Sequence, residues 1–278
     1  SSANLLSLPD IDFGVVPLHI IVGENDYIDD DKIDLTAMQE NLSSYKGKTS
    51  TSSPSPHEWE NAFGDADVVF CITITSSLSG TYNSAVIAKD IYEHNHTGRK
   101  VYVLDSLSTG PEIALFIEKI AELIKAGFAP DDIYKTLLEY KDKTHLYFSL
   151  ASLNNFAKNG RISPVIAAGI GLLGVRVVGK ASDEGTLLPL DKCRGEKRAL
   201  KKLIDHLKEC GYTDGKIIIA HNNNEAGALE LKKLIENTFG IFNGTIQKTR
   251  ALCSYYAEPG SLLIGFEASL CNHKPYKD

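Results

Sequence analysis

Two stretches of the sequence crowd side-chain hydroxyls at places suited to holding an anion. Thr75-Ser76-Ser77-Leu78-Ser79-Gly80-Thr81-Tyr82 stands where the apolar run Asp67 to Ile74 ends and a helical pattern begins near Gly80. In an open parallel sheet, ligands bind beyond the carboxyl ends of the strands. A helix N-terminus placed there turns free N–H groups and the positive end of its dipole toward an anion. Ser76, Ser77 and Ser79 add hydroxyl donors without adding charge. Ser and Thr are also ordinary helix caps, but four hydroxyls around Gly80 exceed what a cap needs. Thr51-Ser52-Ser53-Pro54-Ser55 repeats the theme, and Ser55-Pro56-His57-Glu58 is a capping box with Pro at the first helical position. Two hydroxyl loops, each opening a helix, predict one shared anion site built from Thr51, Ser53, Ser76, Ser77, Ser79 and Gly80.

Other motifs that do chemistry are missing or misplaced. Gly169-Ile170-Gly171-Leu172-Leu173-Gly174 matches G-x-G-x-x-G, yet a dinucleotide fingerprint must follow a strand and open a helix. Here the glycines close an apolar helical stretch and precede a strand, so they serve close packing or make room for a ligand chain. No G-x-S-x-G, H-E-x-x-H or P-loop occurs. The acidic triplet Asp29-Asp30-Asp31 lacks the Gly and distal Glu of a calcium loop and reads as a solvated turn. His94 and His96 fall in an exposed loop, and His221, after a strand, reads as surface or structural. The five cysteines form no C-x-x-C pair and read as reduced thiols. No metal and no cofactor is expected.

The elements that must carry the site follow from hydrophobic pattern. Val15 to Val22, Asp67 to Ile74 and Lys100 to Leu104 read as strands alternating with helices over the first ~145 residues, as in a parallel sheet covered on both faces. Beyond His145 to Leu150, a helix over Ser163 to Leu173 precedes a hairpin turning at Gly185. A charged amphipathic helix from Glu196 to Cys210 follows, then further strands and a helix. The fold class is α/β with two domains. The first, residues 1–150, is an N-terminal parallel α/β/α sandwich. The second, residues 151–278, is α+β with a mixed or antiparallel sheet.

Of the 278 residues, 43% are hydrophobic and 23% charged, which suffices for a real core. The net charge of −7 argues against nucleic acid, which needs a concentrated basic surface. No apolar run approaches a membrane span. Val165 to Val175 is broken by three glycines and stopped by Arg176. A cytoplasmic location is expected, and transient membrane contact is left open. The N-terminus shows no signal peptide, although the chain starts at Ser1 without Met.

The ordered motifs resemble the DegV family over nearly the whole chain. They are Val16-Pro17-Leu18, the Thr51 and Ser76 loops, Asp105-Ser106, Gly160-Arg161-Ile162-Ser163, Lys192-Cys193-Arg194-Gly195 and Pro259-Gly260. The resemblance implies a fatty acid held between two domains, its carboxylate bound by the two hydroxyl loops. It also implies a partner, a separate fatty acid kinase that makes acyl phosphate for phospholipid synthesis. Arg161 matches a basic position near the pocket mouth, and Lys192 and Arg194 match positions there or on the kinase-facing surface. Ile166, Ile170, Leu173 and Leu263 are expected to line the acyl-chain pocket. The chain departs from the family twice. Ser1 or Ser2 stands where a first strand ends in T-D-S. Tyr256 stands where a histidine is expected in G-T-H-x-G-P-G, which bears on the head-group geometry.

A non-catalytic lipid carrier is thus the leading expectation. The alternatives are a serine-dependent acyl or phosphoryl transferase and a sensor of another small anion. The transferase lacks a visible base for Ser76 or Ser79. A sugar site needs many polar side chains, whereas Ile166 to Leu173 and Leu262 to Phe266 are mostly aliphatic.

Overall fold

The computed structural model describes residues 3–4, 7–167 and 174–268. Strands β1 (His19–Val22), β2 (Asn25–Ile28) and β3 (Thr49–Ser52) form a small antiparallel sheet in the order β2-β1-β3. Helices α1 (Leu35–Ser44) and α2 (Pro56–Phe63) flank β3 in sequence. The capping box expected at Ser55 is present: the Glu58 N–H donates to Ser55 Oγ, and the Ser55 N–H donates to the Glu58 carboxylate at 2.8 Å. Strands β4 (Val68–Thr73) and β5 (Lys100–Asp105) pair in parallel, with α3 (Thr81–Asn95) between them. Helices α4 (Pro111–Lys125) and α5 (Pro130–Lys141) complete this half.

The second half carries a six-stranded mixed sheet, ordered β10-β9-β11-β6-β7-β8. Its strands are β6 (Thr144–Leu150), β7 (Val175–Ala181), β8 (Leu187–Arg194), β9 (Ile217–His221), β10 (Gly244–Lys248) and β11 (Leu262–Glu267). Only the β9–β10 pair is parallel. Its helices are α6 (Asn154–Lys158), α7 (Pro164–Ala167), α8 (Glu196–Glu209), α9 (Glu225–Phe239) and α10 (Ala251–Tyr256). The α/β architecture, with a parallel sheet and a larger mixed one, is as the sequence predicts.

Two details differ from expectation. The first strand starts at His19, not Val15, and lies in the antiparallel sheet. Its apolar, β-branched character suits either kind of sheet, because burial pattern reports faces and not partner direction. Cys71, Cys193 and Cys253 carry buried thiols as expected, but Cys210 is disulfide-bonded. Pairing depends on separation in the fold, which spacing along a chain does not reveal.

The central strands β6, β9 and β11 of the large sheet are buried on both faces, and strand alternation decides what each face meets. Tyr147, Leu262, Ile264 and Phe266 turn toward α8 and α9. There Ala199, Leu200, Leu203, Ile204 and Leu207 form the apolar stripe of α8 at helical spacing. Each large member is worth about 1.5–3 kcal/mol on burial. Leu146, Phe148, Leu150 and Leu263 turn the other way, toward Leu153, Ile162 and Cys253. Helix α4 crosses β11 so closely that a Cβ at Gly265 would stand 2.5 Å from the Glu112 backbone nitrogen. That approach locks the first half of the chain onto the second.

Candidate functional site

The polar end of the site forms where β3 and the turn before α3 converge. Ser53 Oγ lies 3.3 Å from where a Cβ on Gly80 would stand, so the two hydroxyl loops touch. Gly80 occupies the cap position of α3 and offers no side chain, which leaves the neighbouring hydroxyls for other partners. Ser79 Oγ accepts from the Thr81 N–H at 3.3 Å and shares a 2.8 Å hydrogen bond with the Thr81 hydroxyl. Thr51 Oγ1 and the Tyr256 hydroxyl share another at 2.8 Å. Arg161 reaches over from the loop after α6. Its Nε donates to the Leu78 carbonyl at 3.0 Å and its guanidinium to the Asn159 carbonyl at 2.6 Å. The cation is thereby fixed by two neutral acceptors rather than by a carboxylate, and its charge stays uncompensated by them.

Helix α10 holds Tyr256 in place, and the anchor is Asp29. This carboxylate is fully buried and accepts from the Ala251 and Leu252 N–H groups at 3.1 and 3.0 Å. Arg250 Nε lies 3.5 Å away. Burial pushes the Asp29 carboxyl up, while the two N–H bonds and Arg250 pull it back. The solvated-turn reading of Asp29 is therefore wrong, because the first member of the triplet turns inward to cap a distant helix. Tyr255, next to the site, is buried with its hydroxyl bonded to Thr49 at 2.6 Å and to Asn159 at 2.7 Å. Tyr256 packs at 4.7 Å between ring centres on Phe156. Burial raises its phenol above the ordinary value, so it is a neutral donor at physiological pH.

Behind these groups opens a cavity of about 300 Å³. Thr51, Ser53, Ser79, Gly80, Arg161 and Tyr256 line it at the partly exposed end. Leu146, Phe148, Leu150, Leu252, Cys253 and Leu263 line its buried interior. Burial in this apolar wall pushes the Cys253 thiol up to about 12, so it is no nucleophile. Among the described lining residues there is no His, Asp, Glu or Lys.

The sequence-derived residues divide accordingly. Thr51, Ser53, Ser79, Gly80, Arg161, Tyr256 and Leu263 come together at the cavity. Ser76 and Ser77 are exposed and lie outside its lining. The Ser76 N–H donates to Asp105 at 3.1 Å, and the Ser77 hydroxyl donates to the Glu184 carbonyl. These two brace the loop against β5 and the β7–β8 turn. Lys192 and Arg194 are exposed on the edge strand β8, away from the cavity. Ile170, Leu173 and the side chain of Ile166 lie outside the described residues. Phe156 and the Leu146/Phe148/Leu150 row were missed. The row was visible as apolar alternation in His145 to Leu150. Phe156 left no such signal.

Comparison with known proteins settles the family. The model of the family described as "Uncharacterised protein, DegV family" matches residues 4–269. This chain belongs to the DegV family. A DegV domain-containing protein of Streptococcus pneumoniae is 41% identical over 255 residues, 92% of this chain and 91% of its own. Among solved structures, a DegV family protein from Eubacterium eligens loaded with heptadecanoic acid superposes with a TM-score of 0.94 at 39% identity, covering 96% of this chain and 97% of its own. The Streptococcus pneumoniae Fatty Acid Kinase (Fak) B3 protein, loaded with linoleic acid, gives 0.89 at 41% identity, covering 91% and 90%.

Proposed function

We propose that this chain binds one long-chain fatty acid, acyl chain inward, and presents its carboxylate at the cavity mouth to a separate fatty acid kinase. The observation that carries the reading is the cavity's polarity. Among the described lining residues, one end gathers neutral hydroxyls and the Arg161 cation, and the buried interior is mostly apolar, with only the neutral Thr75 and Ser108 hydroxyls among its side chains. A carboxylate there meets Thr51, Ser53, Ser79 and Tyr256 as hydroxyl donors and Arg161 as counter-charge. An acyl chain meets Leu146, Phe148, Leu150 and Leu263. The two similar structures loaded with fatty acids support the ligand class, and the Fak B3 protein supports the kinase partner.

The chain itself acts as a carrier without catalysis. The described cavity lining offers no base to activate a serine, which a transferase needs. A small polar anion would leave the aliphatic interior unused, which disfavours the sensor. Lys192 and Arg194 offer exposed positive charge for an acidic patch on the kinase, and the setting is cytoplasmic.

The test is the affinity for a long-chain fatty acid of Thr51→Val and Ser79→Ala. Each removes one donor from a partly buried carboxylate and should weaken binding by about 1–3 kcal/mol. Wild-type affinity in both variants overturns the head-group assignment.

A further inference from the structure

The cavity shares part of its wall with a second hollow. Leu107, Leu146 and Ala181 line the apolar cavity and also line a separate one of about 330 Å³. The remaining walls of that hollow are mostly polar, with Glu112, Thr144, His145, Lys180 and Asp183 among them. The same three residues thus border both chambers and form a shared wall between them.

Each member of the partition is held by its backbone. Leu146 projects from β6, whose row Leu150, Phe148, Leu146 runs along the apolar cavity. A strand rises about 3.3 Å per residue, so this row measures about 13 Å from Leu150 to Leu146. Ala181 ends β7 and pairs with Leu187. Leu107 sits in the left-handed region at φ 51°, and its N–H donates to Asp105 at 3.1 Å. A bulky residue keeps that conformation only where its surroundings impose it. One imposing neighbour is the β7–β8 turn: a Cβ at Gly185 would stand 3.0 Å from the Leu107 Cα and carbonyl oxygen. Next to Leu107, the Ser108 hydroxyl donates to the buried Glu112 carboxyl at 2.5 Å, so the polar hollow is tied to the same loop.

We infer that Leu107, Leu146 and Ala181 form an end wall that sets the longest acyl chain the cavity accepts. The inference rests on the fatty acid reading of the site. Each further methylene buried in an apolar cavity should tighten binding about fourfold. At the wall that gain stops, because the next methylene must displace a leucine or stand among polar groups that lose their own solvation. Ala181, the smallest of the three, is where added bulk moves the wall inward. Leu146 is where lost bulk moves it outward.

The test measures affinity for saturated fatty acids of stepwise increasing length in wild type, Ala181→Leu and Leu146→Ala. The melting temperature of each unliganded protein checks its fold. Wild type should gain about fourfold per methylene up to a break and then level off or weaken. Ala181→Leu should move the break to shorter chains and Leu146→Ala to longer ones. Should Leu146→Ala fail to fold, Ala181→Leu decides alone. An unmoved break in variants that still bind overturns the end wall and leaves the carrier reading standing. Failure of wild type to bind any fatty acid overturns both.

Discussion

At the residue scale, the site rests on which polar side chains turn inward. The sequence marks hydroxyls clustered around Gly80, and Thr51, Ser53, Ser79 and Gly80 do line the cavity. Ser76 and Ser77 share their composition but lie exposed outside the lining, where the Ser76 N–H donates to Asp105 and the Ser77 hydroxyl to the Glu184 carbonyl. No local pattern separates inward from outward hydroxyls, because distant partners decide it. Glu112 shows the same limit: nothing near it in sequence says that it is buried against Ser108 and Thr144. Burial raises its carboxyl from 4.5 to about 7. The folded chain therefore holds this proton more tightly than the unfolded chain does. Its contribution to stability is complete below about pH 4.5 and is lost as pH climbs toward 7. The displacement is worth about 3 kcal/mol. Urea titrations of Glu112→Gln from pH 4.5 to 8 should lack this decline and show a variant more stable than wild type at pH 8. Parallel stability profiles for the two proteins would contradict the assignment.

At the scale of elements, a helix of six residues carries the aromatic side of the cavity mouth. α10 is too short to stand alone, and Asp29 supplies acceptors for its first N–H groups. The acidic triplet looks the same in sequence whether it is solvated or caps a helix more than two hundred residues later, so this role was illegible. The alternation in β6 and the capping box of α2 were legible, because strand period and cap chemistry are local. Asp29→Ala strips the cap and leaves Arg250 without its buried counter-ion. It should lower unfolding free energy by about 2–4 kcal/mol. Tyr256 should lose its fixed position against Thr51, so fatty acid affinity should fall further than in a surface control of equal stability. Retained affinity at matched stability would show that α10 is held by its packing alone.

At the scale of the molecule, the large sheet is covered by α8 and α9 on one face, and its other face helps line the cavity between the two halves. Cavity and interface are therefore one structure, and filling the cavity should stabilise the whole chain. A buried methylene contributes about 0.8 kcal/mol, so the ~14 methylenes of a palmitate-like chain give roughly 11 kcal/mol before costs. Immobilisation and chain ordering take back several kcal/mol, and the head-group bonds restore a few. A net near −8 kcal/mol corresponds to about micromolar affinity or tighter. Any ligand that binds only the folded state raises stability by mass action. The protein should accordingly emerge from an expression host carrying a fatty acid, seen as a mass increment by native mass spectrometry and as a free acid after denaturing extraction. Stripping that lipid should lower the melting temperature, and adding it back should restore it. A purified protein of apo mass whose melting temperature ignores added fatty acid would leave the aliphatic interior without an occupant and refute the carrier reading.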